Sequence, residues 1–291
     1  MQVAERTAQY YEERQTLSGP PVSCVIVAFH RTREVNDLVR SLLDDRIQIV
    51  VVNVEDDPRI QHVRGARVIG TAANVGYAAG VNVGVALAHS DVVVFMNDDV
   101  VTTARDVLRL ADRVHEGHAD AAVPLVAHVS GHLELGNRPP LRLAKRMLLK
   151  GMDVPSQPFP VDAAWAAMVA VRADLIRAIP MPEGYFLYWE EFDWFYRLRQ
   201  RGARVELNPT VRVSHPTGPG DVRPEKSRLL ARNAVRCVRR TRGRAAALRA
   251  WPVVIFWQVD LVLRSLLARR GRRARAHAAG VWAALGSWRE V

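Results

Sequence analysis

Cysteine is scarce in this 291-residue chain: Cys24 and Cys237 are the only two, and their separation makes neither a disulfide framework nor a metal-ligand cluster. A reducing compartment, the cytoplasm, is the expected setting. Lysine is nearly missing, with only Lys145, Lys150 and Lys226, so almost all basic charge is arginine. The charged stretch MQVAERTAQYYEERQ has no apolar core, so it does not read as a secretory signal. The longest apolar run, WPVVIFWQVDLVL from Trp251, falls short of the roughly 20 residues a membrane span needs and contains Gln258 and Asp260. No transmembrane helix is expected. There is no internal repeat, no G-x-G-x-x-G and no G-x-x-x-x-G-K-S/T, which removes the dinucleotide fingerprint and the P-loop.

What is present is 49% hydrophobic residues, enough for one large or two small cores and too many for a disordered chain. The net charge of +11 is unevenly placed: residues 223–291 hold 17 Lys+Arg against 3 acids, a balance of +14, which leaves −3 for residues 1–222. Along the first half, short β-branched apolar runs alternate with helical spacing. VSCVIVAFH (22–30), IQIVVVNV (47–54), ARVIG (66–70) and DVVVFMN (91–97) read as strands, and REVNDLVRSLLDD (33–45) and AAGVNVGVALAHS (78–90) as helices. This predicts a doubly wound α/β sheet, whose ligand lies beyond the carboxyl ends of the strands. Residues 128–160, rich in proline and glycine, read as irregular, with a short helix at LRLAKRMLLK (141–150). Order returns at VDAAWAAMVAVR (161–172), and ARVELNPTVRVSHP (203–216) reads as two short strands around Asn208 and Pro209. After Arg223 the pattern is helical and arginine-rich, with breaks expected at Gly243, Pro252 and Gly271. The expected divisions are an N-terminal extension (1–20), an α/β domain (21–235) and a basic amphipathic helical tail (236–291).

Four features carry chemistry. Asp98 and Asp99 follow the fourth strand directly, as a helix cap before TTARDVLRLADRV or as carboxylates for a divalent cation that also holds a diphosphate. NVGYAAGVNVG (74–84) spaces Gly76, Gly80 and Gly84 four apart around Asn74 and Asn82, which suits close helix–sheet packing or a ligand at the sheet's edge. YFLYWEEFDWFYRLRQRG (185–202) sets Glu190, Glu191 and Asp193 among aromatic rings, with Asp193 and Arg197 spaced as a helical ion pair. His215 gains a role beyond packing only if it meets Asp99.

In this order the motifs resemble the family 2 inverting glycosyltransferases of the GT-A fold, within them the rhamnosyltransferase-like and galactofuranosyltransferase-like branch. VSCVIVAFH matches the opening V-x-V-V-I-V-T-Y-N, NVGYAAGVNVG the N-x-G-f-a-x-G-x-N-x-G, and VVVFMNDDV the L-N-x-D-V. EGYFLYWEEFDWFYRLRQRGARV matches the acidic E-D block, and VRVSHPTG the histidine after it, so the resemblance covers residues 20–235. It implies a Rossmann-like, mostly parallel sheet flanked by helices. It also implies Mg2+ or Mn2+ held by Asp99 and Asp98 with His215, and Glu191 as general base. Glu190, Asp193, Trp189, Tyr188 and Trp165 would shape the acceptor pocket. Ala28, Phe29, His30, Asn53, Glu55, Asn74, Gly76, Tyr77, Asn82, Asn97 and Asp98 would line the nucleotide-sugar. A hydroxyl displacing a diphosphate needs charge neutralised at the leaving group and a carboxylate on the opposite face to take the proton.

Three positions depart from the pattern. Asn53 stands for the aspartate that usually reads the base, leaving Glu55 or Asp56 to replace it; Glu191 stands for aspartate at the base; and Trp165 precedes Ala166-Ala167 where G-A is usual. The implied partners are a nucleoside-diphosphate sugar and a glycan, lipid-linked or small-molecule acceptor. The alternative is a catalytically silent relative acting as a binding or scaffold subunit. A nucleotidyltransferase is disfavoured because AFHRTREV lacks a glycine-rich loop. Tryptophans at 251, 257, 282 and 288 amid arginines read as an amphipathic face for the inner side of the cell membrane, with packing or a homodimer as the alternative use and nucleic acid disfavoured.

Overall fold

The computed structural model describes residues 21–128, 133–134, 154–215 and 222–290. The expected helix at 141–150 and the extension at 1–20 lie outside these residues.

Four apolar strands, β1 (Val22–Ala28), β2 (Ile47–Val54), β3 (Arg67–Thr71) and β4 (Val92–Asn97), pair in parallel in the order β3-β2-β1-β4. Side chains alternate between faces along a strand. Accordingly, Val25 and Val27 of β1 enter one core, while Cys24, Ile26 and Ala28 enter the other. The second core is covered by α1 (Thr32–Ser41) and α3 (Ala104–His115), the latter through Val107, Leu110, Ala111 and Val114 at helical spacing. Thr103 caps α3, accepting from the Asp106 amide. The first core is closed by α2 (Tyr77–Ala86), whose Gly80 and Gly84 let it lie on Val27 and Val25. The parallel strands thus deliver Ala28, Val54 and Asn97 to one edge of the sheet.

Beyond β4 the sheet becomes mixed. Strand β8 (Met168–Arg172) runs antiparallel between β4 and β5 (Ala121–His128), β9 (Val205–His215) lies parallel to β5, and two-residue strands β6 (Leu133–Glu134) and β7 (Phe159–Pro160) complete it. Here the structure corrects one expectation. Residues 205–215 form one strand, not two, because Pro209 sits in a bulge where the register jumps from Pro124↔Asn208 to Leu125↔Arg212. The Asn208 side chain stabilises the bulge by accepting from the Thr210 amide and hydroxyl. The shifted register sets His215 opposite His128.

Helix α4 (Ala173–Ala178) and the aromatic helix α5 (Glu190–Gln200) cover the first core, and α6 (Pro224–Arg242), α7 (Arg244–Leu267) and α8 (Gly271–Gly286) form a third cluster. Helix α6 runs unbroken across residue 235. The chain breaks at Gly243, with φ 84°, but Pro252 lies inside α7. It sits on the exposed side, where its missing N–H leaves the Leu248 carbonyl without its usual helical donor. Although the apolar run in the sequence was too short for a span, α7 at 24 residues is long and apolar enough to cross a membrane by length and composition.

A Cβ on Gly84 would stand 2.2 Å from Val25 Cγ1. Alanine there gains about 1 kcal/mol of helix propensity and forces an overlap costing about 1–3 kcal/mol. Gly84→Ala is therefore expected to lower unfolding free energy in a denaturant titration, whereas Gly286→Ala, with nothing within 4 Å, does not. Equal behaviour of the two variants would show that the helix–strand approach is not tight.

Candidate active site

The carboxyl edge of the sheet carries the first cluster. Asp98 accepts from the Phe29 amide at 2.8 Å, fixing the turn after β4 against the end of β1. Asp99 meets His215, Oδ1 to Nε2 at 3.0 Å, and the Asn97 amide lies 3.2 Å from the same nitrogen. Reciprocal backbone bonds between Val101 and Ser214 stitch the two segments together. Arg31 reaches across, 3.0 Å from Asp99 and 3.7 Å from Asp98. Burial pushes the Asp98 carboxyl up to about 7, against the opposing pull of the Phe29 amide and Arg31. His215 is flanked by the His128 ring, which in turn bonds buried Glu134 at 2.6 Å.

The second cluster is acidic. Glu190 and Glu191 are buried at the start of α5, where helix N–H dipoles favour negative charge. Burial pushes Glu190 from 4.5 up to about 7, and its Oε2 finds no hydrogen-bond partner among the described residues. Tyr77 lies between the two clusters. Burial, then the charges of Glu190, Glu191, Asp98 and Asp99, hold its phenol un-ionised, and it donates to the Ala166 carbonyl at 3.0 Å. Its backbone amide donates to Phe186 O at 3.0 Å, so the glycine loop rests on the acidic loop. Asn74 supports that loop by accepting from Gly76 N, and a Cβ on Gly76, whose φ is 82°, would strike Phe186 O at 2.2 Å.

The remaining predicted residues divide. Trp165 and Trp189 both pack on Phe192, and Lys226 lies over the Tyr188 ring, so an aromatic wall flanks the acids. Asp193 faces inward: it takes hydrogen bonds from Tyr185 and Arg197 and pairs with Arg240 at 3.1 Å. Asn82 is tied to the backbone of Met181 in both directions, away from the sheet edge. Asn53, fully buried, spans its own turn by bonding both backbone groups of Asp57. Beside it His30, with φ 57°, bridges Glu55 and Asp57 at 3.0 Å each, next to the exposed Phe29 ring. This third group stands at the end of β1 and β2.

Sequence reasoning missed Arg31 and the contribution of α6. Asn233, fully buried, donates to the carbonyls of Tyr185, Leu187 and Tyr188 at 2.9–3.2 Å. Arg236 adds a bond to Gly184 O, and the Trp189 indole donates to Leu230 O. No spacing rule signals these contacts, since α6 lies some 40 residues downstream.

Among the described residues no group of three or more His, Cys, Asp or Glu is set to hold a metal ion. Asp99 and His215 are a two-donor set. Such a set would hold a divalent cation only with further ligands from outside the protein.

The fold is the GT-A fold of glycosyltransferases. The family model for glycosyl transferase family 2 matches residues 23–177, and the chain belongs to that family. The fold is shared with the mannosyltransferase PcManGT from Pyrobaculum calidifontis in complex with GDP-Man and Mn2+ (TM-score 0.56, 10% identity, 97% of this chain and 94% of that one). It is shared with S. aureus TarS 1-349 in complex with UDP (TM-score 0.53, 16% identity, 92% and 91%). GalNAc-T7 with UDP, GalNAc and Mn2+ also matches (TM-score 0.54, 16% identity), over 76% of this chain and 48% of that one, so the chain spans about half of its length. No curated protein sequence matches.

Two outcomes test this geometry. Asn233→Ala leaves three loop carbonyls without their donor, a cost of about 2–4 kcal/mol, and amide exchange at residues 184–191 is expected to accelerate. Unchanged exchange there would remove the clamp. For Glu190, a folded-state value above the unfolded one means that stability is fully present below pH 4.5 and lost as pH rises through about 7. Glu190→Gln should flatten that slope, gaining up to about 3 kcal/mol over wild type at pH 8 relative to pH 4 in urea titrations.

Proposed function

We propose that this chain is an inverting, metal-dependent glycosyltransferase, rhamnosyltransferase-like, that moves a sugar from a nucleoside diphosphate to a hydroxyl of a glycan, lipid-linked or small-molecule acceptor. The observation that carries the reading is the meeting of Asp99 with His215, 116 residues apart in sequence, at 3.0 Å on the edge where the parallel strands end. The nucleotide and Mn2+ in the structures of similar fold support a nucleotide-sugar donor and a divalent ion.

In this reading Asp99 and His215 hold Mg2+ or Mn2+, with Asp98 keeping their turn in place through Phe29. When bound, the ion supplies Lewis-acid neutralisation of the diphosphate leaving group. Arg31 adds positive charge at the same corner. The group at His30, Phe29 and Glu55 faces the nucleotide base. Glu191 takes the acceptor hydroxyl's proton, its reach lengthened by one methylene over aspartate. Attack on the face opposite the departing diphosphate inverts the configuration. Glu190, kept protonated to near neutrality, leaves the site with one fewer negative charge beside that base. Trp165, Phe192 and Tyr188 hold the sugar against the acids.

The test is release of nucleoside diphosphate from UDP-, dTDP- and GDP-sugars with Mn2+ or Mg2+. One donor is expected to turn over. Glu191→Gln should lower turnover about 10²–10⁴-fold while keeping donor binding, whereas Asp99→Ala should lose metal-dependent donor binding. Metal-dependent nucleotide binding with no turnover of any donor would leave the silent-subunit reading in its place.

A further inference from the structure

Helix α7 presents an apolar stripe that is unpartnered among the described residues. Val253, Phe256, Val259, Leu263, Leu266 and Leu267 recur at intervals of three and four, which puts them on one side of the helix, and all are exposed, Phe256 at 74% and Leu267 at 86%. The opposite side is occupied: Ala247, Ala250 and Val254 pack into the cluster with α6. Trp288 packs on Trp251 near the start of α7, and on the neighbouring helix Trp282 is 74% exposed. Arginines bracket the stripe. Arg244 and Arg249 stand at its start, Arg264, Arg269 and Arg270 at its end, all exposed. The one acid along it, Asp260, is paired with Arg264 at 2.8 Å.

We propose that this face docks on an anionic lipid bilayer, with α7 lying in the interface rather than crossing it. An apolar stripe with exposed tryptophans and a cationic rim is complementary to acyl chains beneath negatively charged headgroups. Lying flat follows from its neighbours. Gln258 and Ser265 are buried, and α6 and α8, packed against α7, carry arginines that a crossing α7 would drag into hydrocarbon. Helix α6 also clamps the acidic loop, so the docking face and the site belong to one packed unit. The cytoplasmic face of a cell membrane has the required charge.

The experiment is co-sedimentation of the full chain with vesicles of phosphatidylcholine alone and of phosphatidylcholine mixed with phosphatidylglycerol. Binding is expected to be at least about tenfold tighter to the mixed vesicles and to weaken with salt. Phe256→Glu with Leu263→Glu, both at exposed positions, should lower vesicle binding about a hundredfold and leave the melting temperature unchanged. Arg269→Glu with Arg270→Glu should remove the preference for anionic vesicles. Absence of vesicle binding by the wild type overturns the proposal. So does a wild-type dimer in sedimentation equilibrium that the Phe256/Leu263 variant converts to a monomer without any vesicle binding, since the stripe would then be a self-association face.

Discussion

The acidic half of the site depends on a loop that its own residues disfavour. Phe186, Tyr188 and Trp189 all sit at positive φ, 69°, 70° and 76°. Each costs on the order of 1–3 kcal/mol for a bulky side chain, so the loop persists only because its surroundings over-determine it. The α/β domain supplies one hold, the Tyr77 amide on Phe186 O. Helix α6 supplies most of the rest: three bonds from Asn233, one from Arg236 and the carbonyl of Leu230 that receives Trp189. The C-terminal helices are therefore part of the site's construction.

The same constraint explains why three carboxylates stand among so many rings. Tyr185, Trp194 and Phe195 are fully buried and belong to the core, and Asp193, turned toward them, is neutralised by two guanidiniums and a phenol. A buried charge is tolerable only with such pairing. Glu190 and Glu191 lie near enough to Tyr77 for their charges to act on its phenol. Burial acting on Glu190 without a matching cation is what moves its titration toward neutrality.

Much of this was legible in the sequence, and what was not has physical reasons. The parallel strands were readable because strands buried on both faces are continuous apolar runs, and Asp98 and Asp99 were readable as their termini. The meeting of His215 with Asp99 was visible only as a condition, because it depends on the bulge at Pro209, which a sequence pass takes for a strand break. Asn53 reads as the stand-in for a base-reading aspartate and Asn82 as a polar residue in a glycine-rich motif; their amides instead satisfy the backbone groups of Asp57 and Met181, a use that periodicity does not register. Asn233 and Arg240 were invisible because their partners are backbone atoms and a carboxylate on a distant element. Pro252 was read as a helix end because its exposure on α7 cannot be seen from the chain alone.

Charge at the sheet edge sets the terms for any diphosphate there. Asp98 and Asp99 present two carboxylates in adjacent positions, and Arg31 offers one full positive charge, shared between them at 3.7 and 3.0 Å. Burial lifting Asp98 to about 7 means that the second carboxylate is poorly compensated by the protein itself. A diphosphate brought to this corner adds further negative charge, and at contact distances in a medium of reduced dielectric each like-charge pair costs several kcal/mol at an effective constant of about 20. On the proposed reading a cation would be needed to offset that charge. Asp99 and His215 would hold the cation, which would supply positive charge against the phosphates, and Arg31 would add its own at the same corner. A chain with a neutral residue at 99 would lower the repulsion and still fail, because it would lack a carboxylate that would hold the cation.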